Sequence, residues 1–205
     1  MDLNVPSLKQ AETLLLEAEK LNPGPWVAHS RNVAQAAKLI AEHHPTLNAE
    51  VAYIFGLLHD IGRREGVTGM RHALDGYRFL DGLGYSDAAR ICLTHSFPYQ
   101  SILTSSDWDV GEEDLEFVQN YINKITYDDY DKLLQLCDCL AVPQGFCLIE
   151  TRIVDVALRY GVNEYSVRKW QAFMDLKTYF EDGIGASIYA LLPGIVETTF
   201  GFKNA

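Results

Sequence analysis

Several histidine and aspartate side chains stand in strongly apolar segments of this 205-residue chain. Asp138 lies within LLQLCDCLAV, where almost every neighbour is apolar. A carboxylate buried in such surroundings is costly unless it takes up a proton or finds a partner, and a divalent metal ion is the strongest partner available. The alternatives for Asp138 are a place on the wet edge of its helix, or pairing with an arginine or a helix N-terminus.

The pair His59-Asp60 ends the most hydrophobic segment, VAYIFGLLHD. Adjacent residues on a helix point about 100° apart, so both side chains reach one ion only near a helix end or with different coordination modes. Gly56 precedes them on the same side and is expected to leave room there. A single histidine on an apolar face is more often a satisfied core residue, but a buried histidine followed at once by a buried aspartate weakens that alternative.

His29 offers a further ligand from a separate segment. It lies three residues after Trp26 and four before Val33, so at helical spacing it belongs to their apolar stripe. Nitrogen and oxygen ligands from different helices form a site for a first-row metal, and imidazole with carboxylate suits Mn, Fe, Co, Ni or Zn. The sequence therefore predicts a divalent transition-metal site with one or two ions.

His72 and His95 are candidates for a second ion. His72 opens the predicted helix RHALDGYRFLDGL, and His95 closes the predicted helix SDAARICLTH. If both helix ends face one cleft, Asp60 can bridge two ions, and two-metal sites stabilise the attacking and leaving oxygens of a phosphoryl displacement. The alternative for both is an ordinary surface or capping histidine. For His43 and His44, in the last turn before Pro45, no chemistry is expected, because the helix dipole favours a cationic histidine there.

The elements that must position these residues are helices. Helical periodicity dominates and alternating strand patterns are scarce, so the sequence predicts an all-α fold. The helix carrying VAYIFGLLHDIG is apolar nearly all round and is predicted to be central and buried. The polar and aromatic segment 98–111 is interpreted as a loop and a candidate lid. The predicted helices span residues 7–20, 25–44, a stretch beginning after Asn48, 71–83, 86–95, 112–124, 130–141, 149–160 and 164–182.

The order H…HD…D resembles the HD superfamily of metal-dependent phosphohydrolases. The resemblance covers roughly residues 20–145, and the contexts HSRNVA, FGLLHDIGR and LLQLCDCLA each resemble metal-bearing helices of that family. Two further contexts, RHALDGY and LTHSFP, resemble its binuclear H-HD-H-H-D subset. The resemblance implies an HD-domain helical bundle that hydrolyses phosphomonoesters or phosphodiesters, often of nucleotides.

The resemblance also implies which residues do the work. Asp60 corresponds to the bridging carboxylate, and a metal-activated hydroxide is expected to attack phosphorus. The ligands implied for the first metal are His29, His59, Asp60 and Asp138, and those for the second are His72 and His95. We expect a single domain over residues 1–205, with the metal-binding core at about 20–145 and the C-terminal helices 148–205 packed on it.

Substrate contacts are predicted around the metal pair. Many relatives read HDIGK where this chain has Arg63, which can hold a phosphate by a bidentate fork but is a worse proton donor. Arg63 is therefore, with Asp60, a catalytic candidate and the expected phosphate clamp. Weaker candidates are Arg64, Arg71 and Lys132, for which a solvated surface cation is the alternative. In the candidate lid, Tyr99 and Trp108 are expected either to stack on a base or to pin the loop to the core.

The composition of the chain limits the classes of partner that it is expected to bind. A formal net charge of −11 argues against a long nucleic acid, whereas a small phosphorylated substrate remains compatible because a bound ion inverts the local field. The four cysteines form no C-x2-C pair, and neither a signal peptide nor an apolar run long enough for a membrane span is found. We expect a cytoplasmic protein, and its oligomeric state is left open.

Two other functions fit the same residues. An HD-fold oxygenase with a mixed-valent di-iron centre resembles the same six-ligand pattern, and it would take up oxygen without releasing phosphate. A non-catalytic sensor that binds a nucleotide or a metal is the other, although an intact ligand set argues against it. The HHE…DG-x-GYP signature of cyclic di-GMP phosphodiesterases is absent, since DGY at residues 75–77 stands in a different setting, and that subclass is rejected.

Overall fold

The structure is a computed structural model that describes residues 3–105 and 107–202. As predicted, the fold is all-α, and the sheet found among the described residues is one hairpin of two strands, each two residues long. The helices are α1 (Leu8–Leu21), α2 (Pro25–Ala41), α3 (Ala49–Leu58), α4 (Arg71–Gly82), α5 (Ser86–Thr94), α6 (Glu112–Lys124), α7 (Asp129–Cys139), α8 (Ile149–Tyr160), α9 (Ser166–Ile184), α10 (Ile188–Leu191) and α11 (Ile195–Phe200). Strands β1 (Ala141–Val142) and β2 (Gly145–Phe146) pair antiparallel, and 3-10 turns occupy Ile61–Glu65 and Ile102–Thr104.

Capping residues explain where several helices begin. Ser7 and Gln10 form a capping box at the start of α1, and the side chain of Asn48 accepts hydrogen bonds from two backbone amides of α3. Pro25 is the first residue of α2, where its missing N–H costs nothing. Asp128 caps α7 in the same manner. These local signals are the reason why most predicted helices begin within a residue or two of the observed ones.

The clearest differences from the prediction are two helix ends and three short elements. The second helix ends at Ala41 rather than His44, and the residues before Pro45 form a turn. The third helix ends at Leu58, so that His59 and Asp60 lie at its C-terminal end and lead into a 3-10 turn. The hairpin, α10 and α11 were not predicted, because elements of two to six residues are too short to show a period.

A close approach of α2 and α3 holds the centre of the bundle together. A Cβ atom at Gly56 would lie 2.3 Å from the Cα of Ala34. The expectation that Gly56 leaves room beside His59 for an ion was therefore wrong. The space is filled by the backbone of α2, and only a residue without a side chain permits the two helices to approach so closely.

The buried core is continuous from the N-terminal to the C-terminal helices. Leu57 and Leu58 of the central helix α3 belong to the same buried cluster as Phe180 of α9 and Ile195 of α11. A smaller cluster, which includes Phe97 and Ile102, lies under the 98–111 loop. All four cysteines are buried free thiols. No helix in the described ranges is both long enough and apolar enough to span a bilayer.

The contact between α2 and α3 predicts a large effect from one methyl group. Gly56→Ala should lower the free energy of unfolding by about 3 kcal/mol or more, because overpacking against backbone atoms is not relieved by a rotamer change. Urea denaturation followed by circular dichroism measures the loss. Gly82→Ala in α4 is the control, since nothing lies within 4 Å of its Cβ position, and it should change stability by less than about 1 kcal/mol. Equal stabilities for the two variants would contradict the close approach.

Candidate metal centre

The structure brings the six predicted metal ligands together, and we refer to them as the histidine–aspartate cluster. They come from five parts of the chain: α2, the end of α3, the first turn of α4, the end of α5 and the last turn of α7. The cluster consists of His29, His59, Asp60, His72, His95 and Asp138. His59 and Asp60 can face one centre because α3 ends at Leu58, so the angular offset of a continuous helix does not separate them.

Two carboxylates organise the cluster. Asp138 Oδ1 lies 2.8 Å from His29 Nε2 and 3.8 Å from His59 Nε2. Asp60 Oδ2 lies 3.9 Å from the same His59 nitrogen, so this imidazole stands between the two carboxylates. The ligand atoms of His29, His59 and Asp138 all lie within 4.8 Å of one another, which is a spacing that one ion can fill.

A second group of ligands overlaps the first. His59, Asp60 and His95 also place one ligand atom each within 4.8 Å of the others. Asp60 Oδ1 lies 3.1 Å from His72 Nε2 and 3.7 Å from His95 Nε2. The geometry thus provides two overlapping positions that share His59, with Asp60 beside both. The assignment of Asp60 as the bridging carboxylate stays a prediction.

Backbone carbonyls orient three of the four imidazoles. The Nδ1 atoms of His59, His72 and His95 lie 2.8, 2.5 and 2.9 Å from the carbonyl oxygens of Gly56, Gly69 and Cys92, each three residues earlier in the chain. A carbonyl oxygen only accepts, so each Nδ1 carries the proton and donates it. The Nε2 atoms of His59 and His95 are therefore left as acceptors for the centre, which is the arrangement found around bound metal ions, whereas His72 Nε2 lies 3.4 Å from a terminal guanidinium nitrogen of Arg63.

Burial keeps the central imidazoles neutral. His59 is fully buried, and burial lowers its pKa despite the neighbouring carboxylates. Burial likewise lowers the pKa of His95 to about 3. Neutral imidazole is the form that binds a metal ion. The Nε2 atom of His59 has no hydrogen-bond partner among the described residues, and leaving such a buried acceptor unpaired is costly. The cluster therefore fits a divalent ion by donor type, protonation state and its unpartnered nitrogen.

Both carboxylates are ionised, although Asp60 is buried and Asp138 is half-buried. Burial alone pushes the pKa of Asp60 upwards, but the charge of Arg63 is the largest of the contributions that oppose it, and the pKa lies well below its usual value. For Asp138, the effect of desolvation is likewise outweighed, first of all by the hydrogen bond with His29, so its pKa is lowered as well. Both groups are therefore available as anionic ligands at neutral pH.

The cluster opens into a cavity of about 790 Å³. Of the predicted substrate-binding residues, Arg63 lines this cavity, and its Nε donates to Asp60 Oδ2 at 2.6 Å. The 98–111 loop contributes Thr104, Ser105 and Asp107 to the wall. A cavity of this volume is within the range that holds a small organic ligand.

The remaining predicted cations do not line the cavity. The guanidinium of Arg64 lies 3.9 Å from the centre of the Phe79 ring. Lys132 pairs with Asp129 at 3.1 Å, and Arg71 pairs with Asp75 at 3.1 Å. The structure thus gives each of these three cations a partner outside the cavity lining.

The two predicted aromatic residues of the loop are also outside the cavity wall. Trp108 stacks on Phe97 with ring centroids 5.9 Å apart and donates from its indole nitrogen to the carbonyl of Ile102. It therefore attaches the loop to the smaller hydrophobic cluster, which was the alternative interpretation. Tyr99 is exposed, and its hydroxyl lies 3.4 Å from a guanidinium nitrogen of Arg168.

Helices α8 and α9 supply cavity residues that the sequence analysis missed. Arg152 and Arg159 on α8 and Lys169 on α9 all line the cavity. The two arginines are seven residues apart and so occupy one helical face, which is a visible signal. Nothing in the sequence showed that this face is directed towards the cluster, because α8 and α9 follow the segment that carries the ligands.

A buried ion pair sets α5 against α7, which carry His95 and Asp138. Asp131 is fully buried and accepts hydrogen bonds from Arg90 and from the hydroxyl of Thr94, which is 2.7 Å away. Thr94 directly precedes His95, and its carbonyl accepts from the Gln135 amide at 3.0 Å. These bonds fix the end of α5 against α7 and hence the position of His95 relative to Asp138.

This arrangement predicts that Arg90 contributes much more to stability than a surface arginine. Arg90→Met should lower the free energy of unfolding by about 3 kcal/mol, because it leaves the buried Asp131 without its cation. Arg78→Met is the control, since the Arg78–Asp114 pair is more exposed and should contribute less than about 1 kcal/mol. Urea unfolding measures both. Similar losses in the two variants would show that the buried pair does not hold the helices.

The bundle and its cluster define a helical protein with a histidine–aspartate site suited to divalent metals. The sequence model of the HD domain family matches residues 26–142, more than half of the chain, and the chain therefore belongs to that family. The matched range contains the whole histidine–aspartate cluster. HD domains bind divalent metals, and the family includes metal-dependent phosphohydrolases. No curated protein and no solved structure matches the chain at a significant level.

Metal analysis tests the cluster directly. After incubation with Mn²⁺ or Fe²⁺ and gel filtration, the wild-type protein should retain metal, and His59→Ala should weaken binding by more than about 100-fold because one central ligand is gone. Inductively coupled plasma mass spectrometry measures the content. His43→Ala is the control, since His43 bonds to the Leu39 carbonyl outside the cluster. Full metal content in a helical His59→Ala protein would refute this assignment.

Proposed function

We propose that this protein is a metal-dependent phosphohydrolase that cleaves a phosphoester of a small molecule, such as a nucleotide. The observation that carries the proposal is the placement of Arg63. Its guanidinium contacts Asp60 of the histidine–aspartate cluster while its side chain, 30% exposed, lines the cavity. A cation beside a metal cluster, facing a cavity, is the combination that a phosphate group needs.

The chain's own residues would prepare the site. His59 and His95 offer neutral nitrogens, and Asp60 and Asp138 offer two negative charges to balance a divalent ion. Such an ion supplies Lewis acidity and lowers the pKa of the water that it binds. The backbone carbonyls behind three of the imidazoles hold these groups in place, so little reorganisation is needed when substrate arrives.

Arg63 would bind and orient the phosphate rather than transfer a proton. Burial acts to lower its pKa, but Asp60 outweighs that effect and the pKa is raised, so the guanidinium stays protonated. Its Nε is engaged by Asp60, and the terminal guanidinium N–H groups supply a fork for two phosphate oxygens. Arg63 is therefore assigned to phosphate binding, and it does not act as the general acid that a lysine could supply at this position.

The cavity supports a substrate with a flat apolar part. Trp26, Tyr160 and Trp170 contribute to its lining, and the indole nitrogen of Trp26 donates to the Asn22 carbonyl at 2.9 Å, which holds that ring in position. Aromatic side chains of this kind can stack on a nucleobase. They take the place that the sequence analysis had given to Tyr99 and Trp108. A small phosphorylated substrate, rather than a long nucleic acid, is also proposed on the net charge of −11.

Turnover of a phosphoester panel tests this function. The metal-loaded protein should release phosphate or alcohol from nucleoside monophosphates or from an aryl phosphodiester, and Asp60→Asn should reduce the rate to that of the uncatalysed reaction because a central anionic ligand is lost. Phosphate release and chromogenic assays measure the rates, with His43→Ala as the active control. Circular dichroism should show that Asp60→Asn keeps its helical content.

Two outcomes would overturn the proposal. Oxygen uptake by the iron-loaded protein without phosphate release would identify the di-iron oxygenase that the same ligand set allows. Tight nucleotide binding with no turnover of any phosphoester and no oxygen uptake would identify a non-catalytic sensor. Full activity of Asp60→Asn would show that the reaction takes place elsewhere on the molecule.

A further inference from the structure

The cations of helices α8 and α9 lie outside the matched family range and outside the histidine–aspartate cluster. We refer to the charged cavity-lining residues of these helices, Arg152, Asp155, Arg159 and Lys169, as the α8–α9 wall. Both arginines share the single carboxylate of Asp155, at 3.2 and 2.7 Å. Three cationic groups and one anionic group give this wall a formal charge of +2 in a chain whose net charge is −11.

Lys169 is the cation of this wall that lacks a partner. It is partly buried and lines the cavity, yet no hydrogen bond or ion pair joins it to a carboxylate of the described residues. Burial lowers the pKa of Lys169, and the charges of Asp138 and Asp107 only partly oppose this effect. The ammonium group of this partly buried side chain therefore borders the cavity without a hydrogen-bonded counter-charge among the described residues. An anion in the cavity would supply that counter-charge.

The formal charges of all the cavity-lining residues also favour an anionic ligand. Its lining contains Arg63, Arg152, Arg159 and Lys169 as cations and Asp60, Asp107, Asp138 and Asp155 as anions. Two of the anions, Asp60 and Asp138, belong to the histidine–aspartate cluster, and a divalent ion there balances them. Four cations then face two remaining carboxylates, which leaves an excess of two positive charges. Arg63 is assigned to the first phosphate, and the other three cations lie on the separate helices α8 and α9.

A contact between two loops holds the wall in position. The side-chain amide of Asn163, in the turn between α8 and α9, donates to the carbonyl of Leu103 at 3.1 Å. Leu103 lies in the 3-10 turn of the 98–111 loop, which contributes Thr104 and Asp107 to the same cavity. The turn between α8 and α9 is therefore attached to the loop that lines the cavity beside it, while Arg159 and Asp155 of the wall are exposed.

We propose that Lys169 and Arg152 form a subsite for a second anionic group, so that the preferred substrate is a phosphoester bearing a further phosphate. The proposal rests on the proposed function, because it assigns the first phosphate to the histidine–aspartate cluster and Arg63. It adds a substrate class, small bisphosphates, and names α8 and α9 as the elements that determine specificity. Lys169 is the principal residue because its charge is not shared with Asp155.

Equilibrium binding tests the subsite with two pairs of probes that differ by one phosphate. The pairs are adenosine 5′-monophosphate with adenosine 3′,5′-bisphosphate, and ribose 5-phosphate with ribose 1,5-bisphosphate. Isothermal titration calorimetry is performed on the Asp60→Asn protein with Mn²⁺ present, so that turnover does not consume the probe. In at least one pair the bisphosphate should bind about tenfold more tightly, as one added charge-assisted contact predicts.

Variants of cavity-lining and control residues show which side chain causes the preference for the bisphosphate. Adding Lys169→Gln should remove most of the tenfold preference, and Arg152→Gln should reduce it, whereas Lys169→Arg should keep most of it because the charge remains. Arg168→Gln is the matched control. It removes the same charge from the adjacent position of α9, but Arg168 does not line the cavity, so the preference should be unchanged.

The outcomes separate this inference from the proposed function. No preference in either pair, or a preference that Lys169→Gln leaves intact, overturns the subsite even if monophosphates are hydrolysed. Equal weakening of both members of a pair by Lys169→Gln also overturns it, since Lys169 would then bind the first phosphate. A preference that depends on Lys169 in a protein that hydrolyses no phosphoester would sustain the subsite and reject the proposed function.

Discussion

Ionisable side chains inside an apolar helical bundle must be given partners, and this constraint shapes the molecule. His59, fully buried, keeps one nitrogen bonded to a backbone carbonyl and directs the other, unpartnered, towards two carboxylates. The same carbonyl arrangement recurs behind His72 and His95. For His59 and His95 the acceptor is one of the last carbonyls of a helix, which have no partner within the helix, and for His72 it is the carbonyl of Gly69 in the loop before α4. Polar groups that would be costly in mid-helix are therefore tolerated where several helix ends meet.

Close contacts between particular residues, rather than large side chains, hold the helices around the cluster. The backbones of α2 and α3 touch at Gly56 and Ala34, which brings His29 and His59 to facing positions. On the other side, the buried pair of Arg90 and Asp131 joins α5 to α7. A buried ion pair contributes little net stability compared with apolar packing, and its value here is that it sets the register of two helices that each carry a ligand.

Charged residues are distributed unevenly along the chain, and different segments contribute different groups to the cavity. The matched family range supplies the metal ligands and Arg63, while helices beyond it bring a positively charged wall to the same cavity. A strongly acidic chain with a cationic wall on one side of its cavity favours entry of a small anion and disfavours a long polyanion. Proteins of one fold that keep the same chemical centre can act on different substrates when the residues that line the rest of the cavity differ.

The sequence by itself determined the helices and the membership of the cluster, because caps, apolar periodicity and buried polar residues are local or compositional signals. Asp138 and His59-Asp60 stood out as polar groups in apolar surroundings, and their order in the chain carried the family resemblance. Only the tertiary structure decided which cations and aromatic rings face the cavity. Arg64, Lys132 and Trp108 stand near the ligands in the sequence yet have other partners, whereas Arg152 and Lys169 are distant in the sequence yet line the cavity. The direction in which a surface helix presents its charged face depends on packing between remote segments, and no local pattern encodes that.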